Sequence, residues 1–505
     1  MALHRWILGF CFGVGVLALG GCTSDDEKSQ AQEEDRSAQA CLAASGNDFG
    51  MVLDCYTREQ AAKPLEYTQQ ASRQFAGVEQ RRFTLQSQAW SPAQGVQPGT
   101  WRHGVEIYIP EGALQGKALL VVNNGINIAG ADGPLMPAND YSEETMLGIA
   151  RKTRTIVVSV SDVPNQYLTF SDDQLPRRED SIVARTWAMF LREPQQHAFT
   201  PLHVPMMQAV VKTMDLAERE LQPWKIQQFL ATGASKRAWA AWLATIADTR
   251  ITAIAPMVLD FLNQRSVLAH IRQTYGGTWP PALADYQREG VLAQLDSEAF
   301  GQLQRISDPL SYLGSRHAAR LAVPKYIINA ANDEFFLPDN ARFYFDQLPG
   351  ANSLRMIPNA GHGGARPVTE ELLSGAIGRW HAGIPWPQLP AALKPVEGRS
   401  VLALQLAEQP VKLTQWTAVN PQARDFRAPC GIQYVARDIP VNGASAVEVP
   451  LSAPEQGWSV SFVEATFADG LVATSQAYVL PDTYPQQPPP QLSAGCSTLA
   501  DTPAR

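Results

Sequence analysis

Ser235 has the surroundings of a nucleophile. It lies in Thr232-Gly233-Ala234-Ser235-Lys236-Arg237, after a short, largely apolar run of strand length at 226–231. An alanine-rich stretch follows, with Trp239, Trp242 and Ile246 at helical spacing. A serine on a strand-to-helix turn is held in a strained conformation that lifts its hydroxyl clear of the sheet. Backbone N–H groups at the helix start can there meet a developing oxyanion. Gly233 supplies the small neighbour such a turn needs on one side, while Arg237 stands where the general G-x-S-x-G pattern has its second glycine.

Serine is a poor nucleophile until an imidazole takes its proton, and the imidazole needs a carboxylate to fix its tautomer. Both follow downstream. A strand-like run at 325–330 ends in Ala331-Asn332-Asp333-Glu334, and a second at 354–358 leads into Asn359-Ala360-Gly361-His362-Gly363-Gly364. Serine, acid and histidine in that order, each after a strand, is the chain order of α/β-hydrolases. Asp333 is preferred as the acid, with Glu334 able to turn inward instead. Asp339 is a third choice, better suited to capping a helix that starts near Asn340.

The elements that must position these residues alternate. The run at 118–122 is apolar throughout, as a strand buried on both faces is, 155–160 reads as the next buried strand, and 181–191 and 204–221 read as helices. A mostly parallel, doubly wound sheet follows, with the 83–90 and 105–110 runs as its antiparallel edge. The 118–122 strand leads into Asn123-Asn124-Gly125-Ile126-Asn127. The oxyanion donors are expected from the Lys236 N–H and from Gly125, Ile126 or the Asn127 side chain, with the Lys236 ammonium adding positive charge. Residues 263–320 interrupt the alternation and read as a cap over the strand ends. Beyond residue 390 short β runs separated by turns suggest a β-sandwich.

Gly233-Ala-Ser-Lys-Arg237 with Trp239, and Ala255-Pro-Met-Val-Leu-Asp-Phe-Leu-Asn263, resemble the PhoPQ-activated pathogenicity-related proteins. So do Arg178-Glu-Asp180 with Thr186-Trp187, Asp333-Glu-Phe-Phe-Leu-Pro-Asp339, Ala341-Arg-Phe-Tyr344 with Leu348-Pro-Gly350, and Asn420-Pro-Gln-Ala-Arg-Asp-Phe-Arg427. The likeness runs from about Leu53 to about Pro481. It implies an α/β-hydrolase fold with Ser235, Asp333 and His362 at the triad positions, and an arginine after the lysine is usual there. Ala238 is a departure, since glycine is commoner at that place. The family carries no firmly assigned substrate.

The chain has 505 residues, a net charge of −8 and 18% charged residues. That length exceeds one ordinary core, and without a basic cluster nucleic-acid binding is excluded. His4 and Arg5, the apolar Trp6–Leu19 and the Leu19-Gly-Gly-Cys22 that follows have the three regions of a secretory signal. Leu-Gly-Gly-Cys resembles a bacterial lipobox, so Cys22 is expected to be lipidated, with Thr23 favouring the outer membrane. The expected division is a signal peptide at 1–21 and a polar tether at 22–45. A hydrolase domain at 46–392 carries the cap, a β-sandwich spans 393–483, and a Pro-rich tail closes at 484–505. The tether's charged stretch from Ser24 to Ala40 would span roughly 20–25 Å as a flexible coil.

Cys41, Cys55, Cys430 and Cys496 form an even set, which in an exported chain argues for disulfides with three possible connectivities. Cys41–Cys55 and Cys430–Cys496 are preferred, each pinning one end of the chain. None lies at zinc-ligand spacing, and no cofactor or metal is expected. Arg424 and Asp425 suit ion pairs better than catalysis. The reading that results is a lipid-anchored envelope serine hydrolase acting on a small-molecule ester or peptide. Ester hydrolysis is slightly favoured because no N-terminal propeller is present. The alternative is a non-catalytic interaction protein on the same scaffold. Oligomeric state is not written in the sequence.

Overall fold

The structure, a computed structural model, describes residues 37–128, 135–397 and 399–499. The signal peptide, Cys22 and most of the tether lie outside them. Among the described residues no helix is long and apolar enough to cross a membrane.

A nine-stranded sheet organises the chain. Its strands are β1 (Glu66–Phe75), β2 (Val78–Ala89), β3 (Thr100–Pro110), β4 (Lys117–Val122), β5 (Ile156–Val160), β6 (Gln228–Ala234), β7 (Ile251–Met257), β8 (Lys325–Ala330) and β9 (Asn352–Ile357). They lie in the order β1-β2-β3-β5-β4-β6-β7-β8-β9. The first three pair antiparallel, as do β3 and β5, and the rest of the sheet is parallel. In β4, Leu120 and Val122 pack into one apolar cluster and Leu119 and Val121 into another. Both faces are therefore covered, which is why this run has no polar alternation.

Two short helices, α1 (Ala38–Ala44) and α2 (Val52–Ala61), precede the sheet. Joined to it are α3 (Glu143–Thr153), α4 (Asp180–Arg192), α5 (His203–Glu220), α6 (Lys236–Ala247) and α10 (Thr369–Ala382). Residues of α3 and α10 share one cluster, and those of α2, α4, α5 and α6 share the other. The insertion between β7 and β8 holds α7 (Gln264–Thr274), α8 (Ala284–Arg288) and α9 (Glu298–Ser307).

Eight further strands build two antiparallel sheets. β10 (Ala391–Val396), β11 (Arg399–Gln405) and β14 (Ala446–Leu451) form one. β12 (Lys412–Asn420), β13 (Val435–Ile439), β15 (Trp458–Thr466), β16 (Val472–Thr474) and β17 (Tyr478–Leu480) form the other. Leu402, Leu404 and Val449 meet Leu413, Val463 and Ala473 in a core of their own. This sandwich abuts the edge of the large sheet. Thr474 Oγ1 accepts from Met356 N at 3.0 Å, Tyr326 Oη donates to Val472 O at 2.7 Å, and Arg355 pairs with Glu464. An edge strand that could recruit another chain is thereby covered.

One expectation needs correction. Residues 38–44 are helix rather than tether, because Leu42 is buried and Cys41 is bonded to Cys55. Cys430 is bonded to Cys496, the preferred pairing, and the tail that follows the sandwich reaches the cap insertion. Tyr484 Oη meets His270 Nδ1 at 2.8 Å, and a Cβ on Gly276 would lie 2.2 Å from the Gln487 backbone. The polar strand β1 carries no strand signal in the sequence, since it is exposed along most of its length and has no apolar alternation.

Candidate active site

The strand register brings the candidate residues together. Val122 pairs with Gly233, so the loop after β4 lies beside the turn that carries Ser235. Ala330 pairs with Ile357, so the loops bearing Asp333 and His362 leave neighbouring strand ends. Open α/β sheets build sites at the carboxyl ends of their strands.

Ser235 has φ 56° and ψ −126°, in the positive-φ region that side chains avoid. Its N–H is fixed by Met257 O at 2.9 Å, and its carbonyl accepts from Trp239 N at 3.1 Å. A Cβ on Gly233 would stand 2.7 Å from the Arg237 backbone, so the turn closes only over glycine there. Lys236 opens α6, where a backbone N–H has no acceptor within its own helix.

His362 Nδ1 lies 2.8 Å from Asp333 Oδ2 and 3.0 Å from Oδ1. The Asp333 carboxylate is held by the N–H groups of Phe335 and Phe336, at 2.7 and 3.2 Å. Burial would lower the His362 pKa, but the adjacent Asp333 carboxylate outweighs it and the net shift is upward. Glu334 takes a different place, accepting the His362 backbone N–H at 2.7 Å. A Cβ on Gly361 would collide with that carboxylate at 2.6 Å, which accounts for a glycine before the histidine. Asp339 is neither triad acid nor side-chain cap. It is buried against Arg424 at 2.6 Å and His270 at 3.0 Å, and these partners hold its pKa down against the effect of burial. Arg424 thus forms the interdomain pair, whereas Asp425 pairs with Arg427.

The oxyanion loop narrows the choices. The Ile126 N–H donates to Met136 O at 2.8 Å, and the Asn127 amide donates to Arg102 O at 2.5 Å and Asn165 Oδ1 at 2.9 Å. Both are committed elsewhere, which leaves Gly125 as the loop's candidate beside Lys236. The expected free charge on Lys236 also needs correction. Its ammonium is buried and pairs with Glu179 at 2.9 Å and Asp180 at 3.0 Å. Burial would lower its pKa, yet the two carboxylates raise it.

Glu179 is the residue that sequence reasoning left without a role. It binds Arg237 at 2.5 and 2.8 Å, accepts from Gln166 Nε2 at 2.9 Å and also meets Lys236. The same Gln166 amide donates to Gly125 O at 2.7 Å, and Arg237 Nε donates to Val163 O at 2.6 Å. A continuous polar chain therefore joins the loop after β4 to the turn that carries Ser235. Burial pushes the Glu179 carboxyl up, but Arg237 and Lys236 hold it well below its ordinary value. Nothing in the spacing of Arg178-Glu179-Asp180 announces this contact, which spans 58 positions to Arg237.

A second unread feature is support from the C-terminal part. Asn332 Nδ2 donates to Phe426 O at 2.7 Å, and Ala428 N donates to Asn332 O at 2.9 Å. Tyr434 Oη donates to Ala331 O at 3.1 Å, and Asn359 exchanges hydrogen bonds with the Tyr434 backbone at 3.0 and 2.7 Å. Residues 424–434 therefore hold the acid and histidine loops from behind. Among the described residues, Asp425, Cys430 and Cys496 place three ligand-type atoms close together. Both sulfurs are in the disulfide, which leaves a single carboxylate and no metal-holding set.

Ser235 and His362 line one open cleft of about 310 Å³, with Asp140, Arg178 and Arg366 around it. Strand order and elbow together define an α/β-hydrolase. Residues 53–427 match the family of PhoPQ-activated pathogenicity-related proteins, and the chain belongs to that family. It is also 30% identical over 433 residues to autocrine proliferation repressor protein A of Dictyostelium discoideum, covering 79% of this chain and 85% of that protein. Among solved structures it is similar to an acetyl xylan esterase from Paenibacillus sp. R4, with TM-score 0.43, 13% identity, and 65% and 93% of the two chains covered. A glucuronoyl esterase from Solibacter usitatus gives TM-score 0.36 and 12% identity, over 63% and 87% of the two chains.

Proposed function

We propose that this chain is a serine hydrolase that cleaves a carboxylic ester or amide through Ser235, His362 and Asp333. The observation that carries the reading is the strained Ser235 on a strand-to-helix turn, in one cleft with a histidine whose Nδ1 is held by a buried carboxylate. With Nδ1 so engaged, Nε2 is left to take the Ser235 proton as Oγ bonds to the substrate carbonyl carbon. The oxyanion is met by the Lys236 N–H and an N–H of the Gly125 loop. On collapse, the bond to the leaving group breaks and His362 returns its proton to that group. Water then repeats the sequence on the acyl-enzyme, and serine is regenerated.

We further infer that the mature chain begins at a lipidated Cys22 and works at the bacterial envelope, tethered to the outer membrane. This rests on the Leu19-Gly-Gly-Cys22 pattern alone. Intact-mass analysis of the membrane fraction tests it, and an unmodified, soluble mature chain would overturn it.

Labelling with a fluorophosphonate tests the catalytic reading. A single adduct at Ser235 is expected, lost in Ser235→Ala while the melting temperature stays nearly unchanged. Hydrolysis at the wild-type rate by that variant would refute it. No labelling of wild type, with no turnover of esters or peptides, would favour an interaction protein instead.

A further inference from the structure

Next to the open cleft, Ser235 borders a second, much narrower space. This slot runs under the cap and is walled by Trp239 of α6, Phe261, Leu268 and Ile271 of α7, Tyr286 of α8, and Phe336 of the acid loop. It leaves about 30 Å³ for the centres of water-sized groups, against about 310 Å³ in the cleft. The two spaces share Ser235, Lys236, Asp180 and Phe335, but His362 lines only the cleft.

That difference assigns the two halves of a substrate. The leaving group must end beside the imidazole that protonates it, so it belongs in the cleft with His362. The group on the carbonyl carbon is then directed into the slot. Charges at the border of the slot are already matched. Lys236 pairs with Glu179 and Asp180, and Tyr286 Oη donates to Asp180 Oδ1 at 3.1 Å. A charged acyl group would lose its hydration there and gain no free partner. The space takes roughly two to three water-sized groups, and so a chain of about two to three carbons, by the measure in which one water needs about 10–15 Å³.

Building on the serine-hydrolase reading, we propose that the narrow slot is an acyl pocket selecting a short, uncharged, apolar acyl group, while a larger polar leaving group occupies the open cleft. Each methylene that such a pocket accepts changes kcat/KM by roughly tenfold or more.

The test is a p-nitrophenyl ester series with one leaving group and acetyl, butanoyl, isobutanoyl, octanoyl and succinyl acyl groups. Butanoyl or isobutanoyl should exceed acetyl at least roughly tenfold in kcat/KM, with octanoyl and succinyl below both. Ile271→Trp, which fills the slot from the cap, should bring the butanoyl-to-acetyl ratio near one. Phe261→Ala, which widens it, should move the optimum to longer chains, so the assignment survives a poorly folded first variant. A flat profile, or one falling from acetyl onward, with Ser235 still labelled by fluorophosphonate would overturn the pocket alone. Absence of both labelling and turnover would overturn the hydrolase reading and the pocket with it.

Discussion

Replacing Glu179 by glutamine keeps the shape of the side chain and removes its charge. Arg237 loses one of its two bonds to that carboxylate and keeps the bond to Val163 O. Lys236 retains Asp180 at 3.0 Å, so the uncompensated charge falls mainly on Arg237, whose side chain is only 4% exposed. Breaking one side of a buried ion pair costs about 3–5 kcal/mol. Glu179 itself is 27% exposed, which places the expected loss at the lower end, about 3 kcal/mol. Denaturant unfolding of wild type, Glu179→Gln, Arg237→Gln and the double variant reads this directly, provided the slope m is unchanged. The double variant should lose clearly less than the sum of the singles, because the second change removes the charge that the first left stranded. The rate of Ser235 labelling should fall in parallel, since the same carboxylate ties the elbow to the Gly125 loop through Gln166. A loss under about 1 kcal/mol, or strict additivity, would refute the role given to this strut.

Asp333→Asn should reduce turnover by about 10⁴-fold, because the amide favours the wrong imidazole tautomer. Glu334→Gln keeps an oxygen for the His362 N–H and should cost far less; steady-state kinetics on one ester rank the two, and the reverse order would move the acid along the chain. The acid limb of kcat/KM should lie above 6.5, the ordinary imidazole value, since Asp333 outweighs the effect of burial on His362 and only the neutral ring accepts a proton. The same upward shift means that this pair's contribution to stability is fully present below 6.5 and is lost as pH rises through the folded value, which a pH series of melting curves can follow. Removing Cys430–Cys496, which closes 66 positions, should cost about 4 kcal/mol, against about 3 for the 14 positions of Cys41–Cys55. Only the former should also slow Ser235 labelling, because Cys430 lies in the segment that holds the acid and histidine loops.

The parallel strands were legible because burial on both faces leaves a largely apolar run, unbroken in 118–122 and interrupted only by Lys325 and Asn329 in 325–330. The elbow was legible because its glycine, serine and helix start are contiguous. Asp333 and His362 could be placed because each follows such a run by only a few residues. β1 was not, since an exposed edge strand is under no pressure to alternate. Glu179 was not, since its partners are fixed by how loops from β5 and β6 meet in space. The committed donors of Ile126 and Asn127 were hidden for the same reason. Hydrogen-bond competition within a loop is decided by backbone geometry, which residue types in a row do not specify.

The segment 424–434 has a consequence for timing. Asn332 and Asn359, which flank the acid and the histidine, find their partners on residues made 94 and 75 positions later. During synthesis the large sheet can close well before those partners emerge. Until they arrive, the two loops lack the contacts that set the distance between Asp333 and His362. The site is therefore expected to be incomplete until the last domain has docked. Release of a chain truncated after residue 392 should give a folded sheet without a working site.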